Sequence, residues 1–159
     1  MNWNNFHSYE VLDRWMECLA VKFGSKVELI KIGQSSEGRV LKVAHVKLGG
    51  NSTQSVFVDG GMHAREWASP ASVSFILHKL VETSELDHLL NKYDIFILPL
   101  ANPDGYMYSR DHDRMWRKTR SRTGQSSLFG QECFGVDPNR NFGYRWGGHG
   151  ASDNACKVS

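Results

Sequence analysis

No apolar run in the 159 residues is long enough to cross a bilayer, so neither a transmembrane helix nor a membrane partner is expected. Met1 to Ser8 shows no basic region leading into an apolar one, so these residues do not read as a signal peptide. Internal repeats, low-complexity tracts and a linker-like stretch are also missing, which leaves one domain rather than an array. Charge of either sign is scarce in excess. Lys and Arg number 19 and Asp and Glu 17, for a net +2. That balance argues against nucleic-acid binding, even though Arg114, Arg117, Lys118, Arg120 and Arg122 crowd around Trp116, because Asp111 and Asp113 dilute them. The three cysteines are an odd number, so one at least stays outside any internal pair. Hydrophobic residues make up 40%, enough for a buried core.

What is present is orderly. Ser8 reads as the cap of a first helix, with Glu10 in its first turn. Val11, Leu12, Trp15, Met16, Leu19 and Phe23 form its apolar stripe and Gly24 stops it. Residues 27–32 and 40–48 read as strands about a turn at 35–38, and Gly49-Gly50-Asn51 leads to the next strand. Val56, Phe57 and Val58 read as a buried strand ending at Gly60-Gly61. Ser69 and Pro70 read as N-cap and first residue of a long helix whose inner face is Val73, Ile76, Leu77, Leu80 and Val81. Another helical turn over 85–90 and a strand over 93–98 follow. Beyond Arg110 the periodicity fades into a long loop region. Strand, helix, strand alternation implies an α/β fold with a largely parallel or mixed sheet.

Between the strand at 56–58 and the long helix stand His63 and Glu66, three residues apart. Open α/β sheets hold ligands at the carboxyl ends of their strands. Zinc takes imidazole nitrogen and carboxylate oxygen together, at about 2.0–2.2 Å. Alone, this spacing also suits a surface ion pair. Three later segments belong with it. Leu98-Pro-Leu-Ala-Asn102-Pro103-Asp104-Gly105-Tyr106 reads as a strand leaving the core into a turn. Arg114-Met-Trp-Arg117-Lys118-Thr-Arg120 is cationic around a Trp, and Asp137-Pro-Asn139-Arg140-Asn141, taken alone, is a turn.

Together and in this order, the four segments resemble the zinc metallocarboxypeptidases of the pancreatic A/B type, over about Asn5 to Cys156. The resemblance implies an α/β fold with a mixed, largely parallel central sheet flanked by helices. It implies hydrolysis of the C-terminal peptide bond of peptides and proteins at one zinc ion. His63 and Glu66 match two of the three protein ligands, and Arg117 matches the arginine that stabilises the oxyanion. Asn139 and Arg140 match the pair that captures the terminal carboxylate, with Arg65 contacting substrate further away. Asp137 matches the carboxylate that orients the liganding His63. Cys133 and Cys156 match a family disulfide, which implies a secreted protein, and a monomer is expected. Cys18, on the first helix, reads as a small buried hydrophobe.

His149, in a Gly-rich loop, resembles a non-ligating family position and receives no metal role. His7, His45, His78, His88 and His112 lack ligand-like spacing. The family draws its third ligand, its general base and its side-chain specificity from beyond residue 159, and its pro-segment from before residue 1. Residues 1–159 therefore read as the N-terminal part of one catalytic domain. The alternative is an inactive fragment that binds peptide C-termini without cleaving them.

Overall fold

The structure is a computed structural model that describes residues 1–49, 54–144, 146–152 and 154–157. The expected linker residues Gly50 and Asn51 lie outside the described set. Helix α1 (Tyr9–Lys22) precedes the hairpin β1 (Val27–Gln34) and β2 (Val40–Val46), then β3 (Gln54–Asp59). Helices α2 (Ala68–Glu82) and α3 (Asp87–Leu90) lead to β4 (Tyr93–Leu98) and α4 (Pro103–Asp111). A small hairpin, β5 (Arg122–Ser126) and β6 (Glu132–Phe134), and a 3₁₀ turn (Pro138–Arg140) complete the described elements.

The main sheet has the order β1-β2-β4-β3. It is mixed, as expected, but only β3 and β4 run parallel, because the short turn after β1 forces β2 to return antiparallel and β2 also meets β4 antiparallel. Leu29, Ala44, Ile97 and Val58 align across the four strands and face the helices. There they meet Trp15, Met16 and Leu19 of α1 and Val73, Leu77, Leu80 and Val81 of α2 in one core. Lys42 of β2 is buried on this same face, and its ammonium lies 2.7 Å from both Asp13 and Glu17 of α1. Those carboxylates outweigh its burial and raise its pKa.

Several sequence expectations change here. The strand at 56–58 is not buried. Val56 is 40% and Phe57 58% exposed, because β3 lies at the sheet edge and Phe57 belongs to the row Glu28-His45-Phe96-Phe57 on the face away from the helices. Val11 and Ile76 fall outside their helices' buried stripes. Cys18 is exposed, so the apolar reading of that position fails. Helix α2 starts at Ala68 after Trp67, rather than at Pro70 after a Ser69 cap. The Ser69 hydroxyl instead accepts the Gly61 N–H at 3.0 Å. Residues 103–111 form a helix where a turn was expected. Asn102 caps it, Pro103 opens it and Asp104 supplies a first-turn acid, a signature present in the sequence.

Leu77 and Phe57 separate buried from exposed apolar residues. Leu77→Ala is expected to cost about 2–5 kcal/mol in urea unfolding, and Phe57→Ala no more than about 0.5 kcal/mol. Similar costs at both positions would mean that β3 is covered.

Candidate active site

Because β3 and β4 are parallel neighbours, their carboxyl ends open at one side of the sheet. The pairing continues past both strands. Gly60 N–H donates to Leu98 O at 2.9 Å, Ala101 N–H to Gly60 O at 2.8 Å, and Asn102 N–H to Gly61 O at 3.1 Å. Gly61 sits at φ +65°, and a Cβ there would collide with Leu100. The two chain segments that leave the sheet thus begin in close contact, one toward His63 and one into α4.

Asn102 joins them to a third. Its side-chain oxygen accepts the Gly105 N–H at 3.0 Å and caps α4, while its amide nitrogen donates to Met62 O at 3.2 Å and Lys118 O at 3.0 Å. At 4% exposure, this amide has no water to replace those partners. The segments carrying His63 and Arg117 are further laced together. Ala64 N–H donates to Arg117 O at 3.0 Å, Arg114 to Arg65 O at 2.9 Å, and Arg65 to Met115 O at 3.3 Å. Buried Ser109 takes the Trp67 indole N–H at 2.8 Å and donates to Ala64 O at 3.0 Å. Sequence reading passed over both Asn102 and Ser109 as site-building residues. The Asn-Pro-Asp cap signature could have singled out the first, and Ser109 carries no such signal.

This lacing brings His63, Glu66, Arg117 and Asp137 together. His63 Nε2 lies 3.1 Å from Asp137 Oδ1, and its Nδ1 lies 3.0 Å from Glu66 Oε1. Asp137 Oδ1 also accepts the Asn139 N–H at 3.0 Å, and Oδ2 accepts Arg117 Nε–H at 2.9 Å. Burial pushes the Asp137 carboxyl up, yet Arg117, the Asn139 amide and His63 together hold it below the ordinary carboxylate range. An ionised Asp137 assigns the Nε2 proton of His63 and leaves the Nδ1 lone pair facing Glu66. Two acceptors 3.0 Å apart need a cation between them, either a proton or a metal ion. Zinc bonds of about 2.0–2.2 Å at a tetrahedral angle put two donor atoms about 3.3 Å apart, so this pair fits two zinc ligands. A third is lacking: among the described residues no three His, Cys, Asp or Glu side chains form a metal-binding group. His149 is exposed in its loop.

Arg117 also reaches Glu66 Oε1 at 3.4 Å. It faces a cavity of about 900 Å³ whose wall also includes Arg65, Arg140 and Asp137. Arg140 lies in the 3₁₀ turn, exposed, with Nε donating to Gly150 O at 3.3 Å and Nη1 to Asn139 O at 3.0 Å. Asn139 enters the network through its backbone N–H and is not among the described residues of the cavity wall. The other cations of the cluster have structural partners. Arg114 lies 3.9 Å over Trp67 and Arg120 3.8 Å over Tyr108, while the Trp116 indole donates to Lys118 O at 2.8 Å. Arg120 also lies 4.8 Å over the Trp116 ring, so that face is occupied from within the chain. Cys133 and Cys156 are bonded and clamp the loop that carries Asp137 and Arg140, a constraint worth about 3 kcal/mol in the chain-entropy model.

Comparison with known proteins identifies the family and the fold. A sequence profile described as zinc carboxypeptidase matches residues 12–159. The chain belongs to the zinc carboxypeptidase family. It is 40% identical to carboxypeptidase B of Astacus astacus over 98% of its own length and 50% of that protein's. To zinc carboxypeptidase A 1 of Anopheles gambiae it is 42% identical, over 98% of this chain and 35% of that one. The structure of carboxypeptidase A from Helicoverpa armigera superposes with a TM-score of 0.91 at 34% identity, over 100% of this chain and 39% of that one. That of bovine thrombin-activatable fibrinolysis inhibitor, in complex with tick carboxypeptidase inhibitor, gives 0.87 at 35% identity, over 98% and 50%. The chain thus spans half or less of the length of these relatives.

The Asn102 amide can be tested by separating its two roles. Asn102→Ala loses the cap and both donors and is expected to cost about 2–4 kcal/mol. Asn102→Asp keeps the cap, so α4 helicity by circular dichroism should persist. It turns oxygen toward the Met62 and Lys118 carbonyls, so hydrogen exchange at Ala64 and Thr119 should still accelerate. Unchanged exchange in Asn102→Asp would reduce the residue to a helix cap. In the same chain, native alkylation should label Cys18 alone, with non-reducing peptide mapping recovering Cys133 joined to Cys156.

Proposed function

We propose that this chain carries one wall of a zinc metallocarboxypeptidase active site, which hydrolyses the C-terminal peptide bond of peptides and proteins. The observation that carries the reading is the 3.0 Å approach of His63 Nδ1 to Glu66 Oε1, with Asp137 on the other imidazole nitrogen and Arg117 beside the carboxylate. His63 and Glu66 would hold the ion, which supplies Lewis acidity and an activated water when a third protein ligand completes the site. Asp137 holds the imidazole in the tautomer a ligand needs. Arg117, fixed by Asp137, keeps a permanent positive charge where negative charge develops on the scissile carbonyl. Such a donor is typically worth about 2.7–4 kcal/mol in the transition state.

Arg140, with Asn139, takes the terminal carboxylate, and Arg65 reaches more distant parts of the peptide. Among the described residues Arg140 donates to the Gly150 and Asn139 carbonyls and to no carboxylate, so its charge is oriented without being neutralised. Residues 1–159 constitute part of one catalytic domain in this reading, and the disulfide suits a secreted, monomeric protein. In this reading the chain recognises a free peptide C-terminus without cleaving it, since among the described residues two ligands and no assigned general base are at hand.

Binding to residues 1–159 tests this directly. Peptides with a free C-terminal acid should bind about 10–100-fold more tightly than their amides, and Arg140→Ala should abolish the difference. Equal affinity for acid and amide would make the arginine structural. Zinc should bind weakly in competition with a chromophoric chelator, and either His63→Ala or Glu66→Ala should remove the binding. Chelator-sensitive release of C-terminal residues at enzyme-like rates by the 159-residue chain would overturn the incomplete-site reading.

A further inference from the structure

The charge lining the cavity exceeds what one terminal carboxylate requires. Its wall contains Arg65, Arg117, Lys118, Arg122, Arg140 and Lys157, and Asp137 is the one acid among its described residues. The whole chain carries only +2, so the surface outside this wall is net negative. Asp137 is already committed to Arg117 and His63, and Glu66 to the same two residues. Arg65 and Lys118 are held by main-chain carbonyls of Met115 and Ala155, which orient them without neutralising them. Arg122 approaches Glu132 at 3.9 Å, but its side chain is 81% exposed, so solvent screens that pair. Lys157 is exposed in the bend just after Cys156, the far end of the disulfide-closed loop. The disulfide from Cys133 to Cys156 fixes the relation between these two rims, since Arg122 and Cys133 lie on paired strands.

The wall is costly as it stands. Like charges repel across it, and burial together with the nearby Arg120 lowers the pKa of Lys118. A substrate carrying negative charge relieves that repulsion, and a concave wall of one sign focuses its field on an incoming ligand. Resting on the proposed function, we infer that this cleft selects peptides that bear acidic side chains in addition to the terminal carboxylate, with Arg122 and Lys157 supplying the preference. The two residues belong to neither the proposed zinc site nor the carboxylate pocket, so specificity can be removed without touching either.

Four fluorescent peptides of one length separate the two ideas: a Glu-rich and a Gln-rich sequence, each as free acid and as C-terminal amide. Affinities are measured by anisotropy on residues 1–159 at low and high salt. At low salt the Glu-rich peptides should bind about tenfold more tightly than the Gln-rich ones in both the acid and the amide series, and the advantage should fall steeply with added salt. Arg122→Gln with Lys157→Gln should erase that advantage while leaving the acid-over-amide preference, and Arg140→Ala should do the reverse. Equal binding of Glu-rich and Gln-rich peptides overturns the inference and leaves the proposed carboxylate pocket standing. A Glu-rich advantage without any acid-over-amide difference overturns the pocket and keeps the inference. Persistence of the full Glu-rich advantage in the Arg122→Gln, Lys157→Gln chain, with its circular dichroism intact, overturns the assignment to these residues.

Discussion

One buried amide holds the candidate site in register. Asn102 stands where β4 ends, and its hydrogen bonds go to the three segments that build the site: the turn before His63, the segment after Arg117, and the first turn of α4. Each bond is modest in isolation, about 0.5–1.5 kcal/mol, but leaving any of these buried groups unpaired costs more. Displacing any one segment alone therefore breaks a hydrogen bond of this buried amide. The parallel pairing of β3 and β4 makes this arrangement available, since it delivers both chain segments to the same end of the sheet. An antiparallel pair would have put His63 and Asn102 at opposite ends.

From that base the electrostatics follow in sequence. Asp137 is pulled into the site by Arg117 and the Asn139 amide, which keeps it ionised, and an ionised Asp137 sets the His63 tautomer. With the proton on Nε2, the Nδ1 lone pair would face Glu66 Oε1 at 3.0 Å, a contact that either a proton or a metal ion between them would satisfy. Among the described residues no three His, Cys, Asp or Glu side chains form a metal-binding group, and the chain spans half or less of the length of its relatives. On β3, which pairs on one side only among the described strands, Phe57 is exposed on the face away from the helices and Val56 is 40% exposed on the helix-facing side.

How much of this could be read from the sequence differed by kind of interaction. Helices α1 and α2 were legible because each buries one periodic face, which Leu12, Trp15, Leu19, Val73, Leu77 and Leu80 declare locally, while the β1/β2 hairpin and β4 were legible as β-favouring runs between turn residues. The spacing of His63 and Glu66 was legible for the same reason, being short-range. Exposure of Phe57, Val56 and Cys18 was not, since a run of β-favouring residues looks the same at a sheet edge as in its centre. Ser69 was misjudged as a helix cap because its hydroxyl is drawn off by the Gly61 N–H, a partner that exists only once the chain has turned back on itself. The meeting of Asp137 with His63 spans 74 residues, and only family resemblance, not local chemistry, anticipated it.

Glycine shows why the rest stayed hidden. The peptide joining Lys118 to Thr119 is approached by Gly105, where an added Cβ would strike Lys118 O, and by Gly135, where it would strike Thr119 O. Gly135 also adopts φ +78°, a conformation that other residues reach only with strain. The segment following Arg117 is therefore positioned by backbone pressed against backbone, with no side chain between to reveal the contact. In sequence both glycines resemble the many that merely permit a turn. Their function depends on what lies opposite them, which only the folded chain supplies. A methyl group at either site would push the 118–119 peptide outward, carrying Arg117 away from Asp137 and Glu66 and loosening the charge arrangement that defines the site.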